Sequence, residues 1–206
     1  MEISMNVKNL FIYDVDEYKK FINLINNVFK TSVDLPENIF RDCYNNFLFE
    51  EFDWTMTEEF SEKLKQLTKE TNDPFVLTAV IEPDPFDYYL NEFGYFNWFK
   101  IPTDELGKYY LEALMHYPEE SVADSILYNS QKIVWIVPSA KWAIWGDRSY
   151  EICIFGCQVG YQIKNAHTLK TWETVENALE FWIKLSFKDQ IISKDFRQQM
   201  IYNYKK

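Results

Sequence analysis

The sequence predicts an α+β fold in which an antiparallel sheet of about four to five strands packs against helices. Helical patterns dominate residues 1–130, strand patterns dominate residues 131–164, and helical spacing returns over residues 171–204. Strands that follow one another in sequence favour an antiparallel sheet over a doubly wound parallel one. We therefore expect one domain over residues 1–206, with the centre of its sheet at residues 133–155.

Composition supports a folded domain with a dense core. The chain has 206 residues, of which 47% are hydrophobic and 18% aromatic. This apolar content excludes a disordered chain, because burying it offsets the conformational entropy lost on folding. Each buried aromatic ring removes a large apolar area from water.

Four helices are predicted in the first half of the chain. They cover about residues 14–29, 36–50, 55–71 and 103–115. Asp14 with Glu17 and Thr55 with Glu58 have the spacing of a capping box, which starts a helix. The helix over 36–50 is predicted from the spacing of its apolar residues alone.

An apolar hairpin over residues 132–146 is the clearest strand signal. If Val137 faces Lys141 across the turn, Trp142 shares a face with Val134, and Trp145 shares the other face with Trp135. Both faces are apolar, so we expect the hairpin at the centre of the sheet. Further strands are predicted at residues 75–81, 150–155 and 159–163.

Two smaller groups of residues are assigned to the core. The aromatic residues of segment 91–99 are expected to pack inward rather than to form a partner-facing ridge. Cys43, Cys153 and Cys157 are expected to be ordinary buried thiols. On a straight strand Cys153 and Cys157 would lie about 13 Å apart, too far to share a metal ion or a disulfide.

Negative charge is concentrated in the middle of the chain. The whole chain carries a formal charge of −11, but residues 34–125 contain 21 acidic and 6 basic residues. Such a surface repels nucleic acid and steers a cationic partner. The alternative interpretation is that the acidic residues only keep the protein soluble. We expect a protein partner with a basic surface and no nucleic-acid partner, and the carboxylates predicted to contact it are Glu50, Glu51, Asp53, Asp84, Asp87 and Glu92.

No catalytic, cofactor-binding or metal-binding residue is predicted. The five glycines form no phosphate-binding loop, and neither GxSxG nor SxxK occurs. The acids Glu82, Asp84 and Asp87 are interpreted as a solvated loop, and Arg148 as a structural residue that pairs with a nearby acid. No secretory signal or membrane span is recognisable, which favours a cytoplasmic protein.

The segment from Trp135 to Arg148, with the pattern W-x-x-P-S-x-x-W-x-I-W-G-D-R, runs into the apolar strand 151–155. This segment resembles small bacterial proteins of polymorphic toxin loci, which are often immunity proteins. The resemblance covers about 20 residues and implies a cytoplasmic protein that binds and blocks a toxin domain. It assigns no functional residue.

Three functions follow from these observations. The first is a non-catalytic binding protein, an immunity-type inhibitor of a cationic toxin domain. The second is a hydrolase that works through carboxylates, which requires a pocket lined by acids with raised pKa values. The third is a structural or regulatory module that self-associates through exposed aromatic residues.

Overall fold

A computed structural model describes residues 6–118, 121–163 and 168–205. The strands are β1 (Phe11–Ile12), β2 (Tyr44–Glu51), β3 (Phe75–Glu82), β4 (Phe96–Pro102), β5 (Lys132–Ile136), β6 (Trp142–Asp147) and β7 (Ile152–Gln158). They form one sheet in the order β1-β4-β3-β5-β6-β7-β2. All neighbouring pairs are antiparallel. The α+β class is confirmed, but the described residues contain seven strands instead of four to five.

Helices cover both faces of this sheet. They are α1 (Val15–Val28), α2 (Glu58–Thr71), α3 (Asn91–Phe93), α4 (Leu106–Met115), α5 (Ile126–Asn129), α6 (Val175–Phe181) and α7 (Lys194–Tyr204). One face of the sheet shares a core with α2, α4 and α5, and the other shares a core with α1, α6 and α7. The sheet is therefore the middle of three layers, which explains why its central strands are apolar on both faces.

Three of the four helices predicted in the first half are confirmed. The Asp14 side chain accepts a hydrogen bond from the Glu17 backbone N–H at 2.7 Å and caps α1 as expected. The second predicted capping box is wrong, because α2 begins after Thr57, and the Thr55 hydroxyl donates instead to the Phe52 carbonyl at 2.6 Å.

The helix predicted over residues 36–50 is wrong, because residues 44–51 form β2 at one edge of the sheet. β2 has a bulge at Asn46, where φ is 55° and the pairing with β7 shifts. The bulge places Tyr44 and Phe47, three residues apart, against the same core. That spacing imitates a helix in the sequence. The first 130 residues thus hold the four strands β1 to β4 in addition to the helices α1 to α5.

The hairpin is central, as predicted, but its register differs by one residue. Ile136 pairs with Ala143 and Val134 with Trp145, so six residues separate Ile136 from its partner, whereas the predicted register leaves five. A shift of one residue turns every side chain of a strand to the opposite face. The side chain of Trp142 therefore shares the core of Trp135 instead of that of Val134.

The remaining strand and core predictions have mixed outcomes. Strand 75–81 and the strand beginning near residue 150 are confirmed, whereas residues 159–163 form a turn and an irregular segment. Tyr95, Phe96, Trp98 and Phe99 are buried as expected. Cys153 and Cys157 are buried free thiols on β7, but Cys43 is exposed, so its predicted burial is wrong.

A buried carboxylate connects the hairpin to α2. Asp73 accepts hydrogen bonds from the Ser139 backbone N–H at 2.8 Å and from the Ser139 hydroxyl at 2.7 Å. The Thr71 hydroxyl donates to the same carboxylate. Ser139, which belongs to the Trp135–Arg148 segment, therefore has a structural role.

Candidate functional site

Most of the carboxylates predicted to bind a partner lie at one end of the sheet. The strand register joins Glu82, Lys132, Asp147, Ile152 and Glu51 into one row across five neighbouring strands. Four strand spacings of about 4.8 Å place Glu51 about 19 Å from Glu82. We call this part of the molecule the acidic end. It comprises Asp34, Glu51, Asp53, Glu82, Asp84, Asp87, Glu92, Asp124, Asp147 and Glu151 with their basic neighbours Lys132 and Arg148.

Glu50 does not belong to this surface. It is only 7% exposed, and its carboxylate accepts hydrogen bonds from the Glu51 backbone N–H and from the Thr171 hydroxyl, both at 3.0 Å. Burial raises its pKa. The structure thus places Glu50 inside the protein, apart from the exposed Glu51, because neighbouring side chains on a strand point to opposite faces.

Asp84, Asp87 and Glu92 lie in the connection from β3 to β4. Asp84 caps a π-helical turn (Pro85–Leu90) by accepting hydrogen bonds from the backbone N–H groups of the second and third residues of that turn, at 2.8 and 2.6 Å. Asp84 and Asp87 add to the effect of burial in raising the pKa of Tyr18, which lies on α1. Their negative field thus extends over the neighbouring helix.

Only part of the charge at the acidic end is neutralised within the chain. Lys132 contacts Asp34 at 2.7 Å and Glu82 at 2.8 Å, and Arg148 contacts Asp53 at 3.5 Å. Seven carboxylates of the acidic end form no ion pair with any described residue, namely Glu51, Asp84, Asp87, Glu92, Asp124, Asp147 and Glu151. Of these, Asp147 is buried. The acidic end therefore keeps a strong negative potential.

Arg148 has the structural function predicted for it. Its guanidinium donates to the backbone carbonyls of Ser130 and Leu127, each at 2.8 Å. It also lies 4.5 Å above the centre of the Phe52 ring and pairs with Asp53. These contacts hold the turn between β6 and β7 against the end of β2.

A cleft of about 650 Å³ opens beside this turn. Three carboxylates, Glu51, Asp53 and Glu151, line one part of it, and Trp182 and Leu185 line another. The pKa of Glu151 is raised by burial and then by Asp53. The sequence did not reveal this cleft, because its helical spacing over residues 171–204 does not show that α6 ends at Phe181, just before Trp182.

Asp147 is the most deeply buried carboxylate of the acidic end. It is 2% exposed and accepts a hydrogen bond from the Ser149 backbone N–H at 3.0 Å. Burial raises its pKa from 3.8 to about 6, although the positive charge of Lys132 opposes this rise. The folded state therefore binds this proton more tightly than the unfolded state does.

Asp147→Asn should stabilise the protein at pH 7 and have little effect near pH 4. A raised pKa in the folded state means that ionisation of Asp147 lowers stability as the pH rises from about 4 to about 6, by roughly 3 kcal/mol in all. Urea unfolding at the two pH values measures this difference. Asp87→Asn, which removes an exposed charge, is the control, and equal behaviour of the two variants would contradict the prediction.

In the part of the chain that is described, His116 and the buried cysteines lie in apolar surroundings. His116 lies beside Phe11, with ring centres 5.0 Å apart, and burial lowers its pKa. His167 lies outside the described residues. Burial raises the pKa of Cys157, which disfavours its thiolate. Among the described residues, no three His, Cys, Asp or Glu side chains are grouped to hold a metal ion.

A scan against protein-family models, a search of curated proteins and a search of solved structures found no match to this chain. The resemblance to immunity proteins therefore stays a prediction. Across the described residues, no helix combines the length and apolar character needed to cross a membrane. The function has to be argued from the acidic end itself.

Proposed function

We propose that this chain is a non-catalytic binding protein, an immunity-type inhibitor that covers a cationic toxin domain with its acidic end. The observation that carries the proposal is that seven of the ten carboxylates of the acidic end form no ion pair with any described residue, and all lie at one end of a packed sheet. Complementary charge of this kind accelerates association and disfavours wrong partners.

The location of these carboxylates on strand ends and short connections strengthens the proposal. Glu51 ends β2, and Asp84 is fixed by its capping hydrogen bonds. Carboxylates held in place lose little conformational entropy when a partner binds. A basic groove that normally accepts phosphate groups would find matching negative charge here.

The test takes the product of the gene adjacent to this one as the candidate toxin, with titration calorimetry at 50 and 300 mM salt and growth rescue in a bacterial host. The variant E51K/D87K/E92K reverses three unpaired charges of the acidic end. We expect it to weaken binding by about 100-fold, since three reversed charge pairs at about 1 kcal/mol each cost about 3 kcal/mol. Growth rescue should be lost in parallel.

The control variant is D42K/D104K/E105K, which makes the same change in net charge near the opposite end of the sheet. Asp42 precedes β2, and Asp104 and Glu105 follow β4. This variant should keep binding within about threefold of the wild type, because screening limits the effect of distant charges. An equal loss of affinity in both variants would contradict the proposal, because binding would then depend on net charge and not on the acidic end.

A carboxylate-based hydrolase is the second candidate, because the cleft combines Glu151, whose pKa is raised, with Asp53 and Glu51. A pocket with perturbed carboxylates is what such an enzyme needs. Hydrolysis of chromogenic glycosides that disappears in Glu151→Gln would favour this candidate over the inhibitor.

Self-association is the third candidate, and it draws on exposed apolar side chains. The largest exposed fractions near the C-terminal helices belong to Tyr202 at 83% and Ile191 at 72%. Light scattering of concentrated protein tests it, and a monomer would exclude it.

A further inference from the structure

We infer that the cleft at the acidic end receives an arginine side chain of the protein partner. This inference rests on the proposed function and adds which side chain is recognised and where. The cleft lies at the end of β2, beside the turn between β6 and β7, and its volume of about 650 Å³ exceeds that of a single amino-acid side chain.

The charge of the cleft calls for a cation. Glu51, Asp53 and Glu151 contribute three carboxylates, and Arg148 is the basic residue among the residues that line it. Arg148 directs its hydrogen bonds away to the carbonyls of residues 127 and 130. Glu51 and Glu151 consequently keep carboxylate oxygens available for a donor from outside.

Another part of the lining of the cleft is apolar. Trp182 is half-buried there, and Leu185 is 54% exposed. Phe181, the last residue of α6, is 52% exposed nearby in the sequence. A cleft lined by both apolar side chains and carboxylates suits a side chain with a long aliphatic part and a charged head.

Arginine fits this combination better than lysine does. Its planar guanidinium stacks on an indole ring and donates two parallel hydrogen bonds to a carboxylate, whereas an ammonium group is a compact, strongly hydrated charge. The chain already uses this chemistry within itself, since the guanidinium of Arg148 lies over Phe52 and beside Asp53. Arginine and aromatic residues also dominate the strongest contacts of protein interfaces.

The experiment uses hexa-arginine and hexa-lysine peptides as probes in titration calorimetry at 50 mM salt. We expect hexa-arginine to bind about fivefold more tightly, the factor that corresponds to about 1 kcal/mol of stacking on an aromatic ring. In parallel, NMR should show a shift of the Trp182 indole N–H resonance with hexa-arginine. The loss of one indole signal in Trp182→Phe identifies this resonance.

Two isosteric double variants separate the cleft from the rest of the acidic end. E51Q/E151Q removes two charges from the cleft and should abolish the preference for arginine. D87N/E92Q removes two charges elsewhere at the acidic end, so it should weaken both peptides equally and keep the preference. Circular dichroism checks that both variants are folded.

The outcomes distinguish the inference from the proposed function. If the two peptides bind equally and both variants weaken them equally, the cleft is not an arginine site, while the acidic end remains a cation-binding surface. If neither peptide binds at 50 mM salt, the acidic end does not attract cations, and the proposed function fails together with the inference.

Discussion

Trp135→Ala should lower the free energy of unfolding by about 3–5 kcal/mol, the range observed when a large buried aromatic side chain is removed. Trp135 is fully buried on the central strand β5, and its ring packs edge-on against Phe60 at 5.4 Å. Its indole N–H donates to the Tyr110 hydroxyl at 2.9 Å, and that hydroxyl donates to the Thr55 carbonyl at 2.7 Å. The substitution therefore leaves a cavity and breaks a buried hydrogen-bond chain.

Urea unfolding followed by far-ultraviolet circular dichroism measures this loss. Tyr110→Phe is the matched variant, because it removes the middle of the hydrogen-bond chain and leaves the packing of the ring. It should cost about 1–3 kcal/mol, the penalty for leaving buried polar groups without partners. A loss below about 1 kcal/mol for Trp135→Ala would mean that the surrounding core collapses into the space.

Asp73→Ala should destabilise the protein by about 2–4 kcal/mol, because hydrogen bonds to a buried charged group contribute more than neutral ones. The substitution removes the acceptor for the Ser139 backbone N–H, the Ser139 hydroxyl and the Thr71 hydroxyl. These donors lie at the hairpin turn and at the end of α2, so both elements lose their connection.

A double-mutant cycle with Ser139→Ala tests the connection directly. Residues that share a hydrogen-bond network show coupling energies of about 0.5–3 kcal/mol. We expect the double variant to lose less stability than the sum of the two single variants. Strict additivity of the two losses would show that Asp73 stabilises the fold without Ser139.

The sequence predicts the type of most elements well and their pairing less well. The apolar runs on both sides of Pro138 indicate central strands, since only a covered sheet tolerates two apolar faces. Their register depends on the length of the turn, and there Ala140 adopts a φ of 53°, a conformation that its side chain gives no reason to expect. The bulge at Asn46 is likewise invisible in the sequence, and it turns a strand pattern into a helical one.

The candidate site is predictable in its charge but not in its shape. Glu51 and Asp53 are separated from Asp84 by about thirty residues. They lie at the same end of the sheet only because β2 pairs with β7 at the edge. No local signal in the sequence encodes this long-range pairing. The apolar wall of the cleft depends on where α6 ends, and helix ends are poorly defined by propensity alone.

The two edges of the sheet affect the tendency of this protein to form edge-to-edge sheets with other copies of itself. β1 has only two residues, and the outer side of β2 is engaged at Phe49, which exchanges hydrogen bonds with Glu173 at 2.8 and 2.7 Å. The bulge at Asn46 bends the remainder of β2. Short, bent or occupied edges discourage strands of another molecule from extending the sheet. These two edges therefore offer little template for the growth of a fibre.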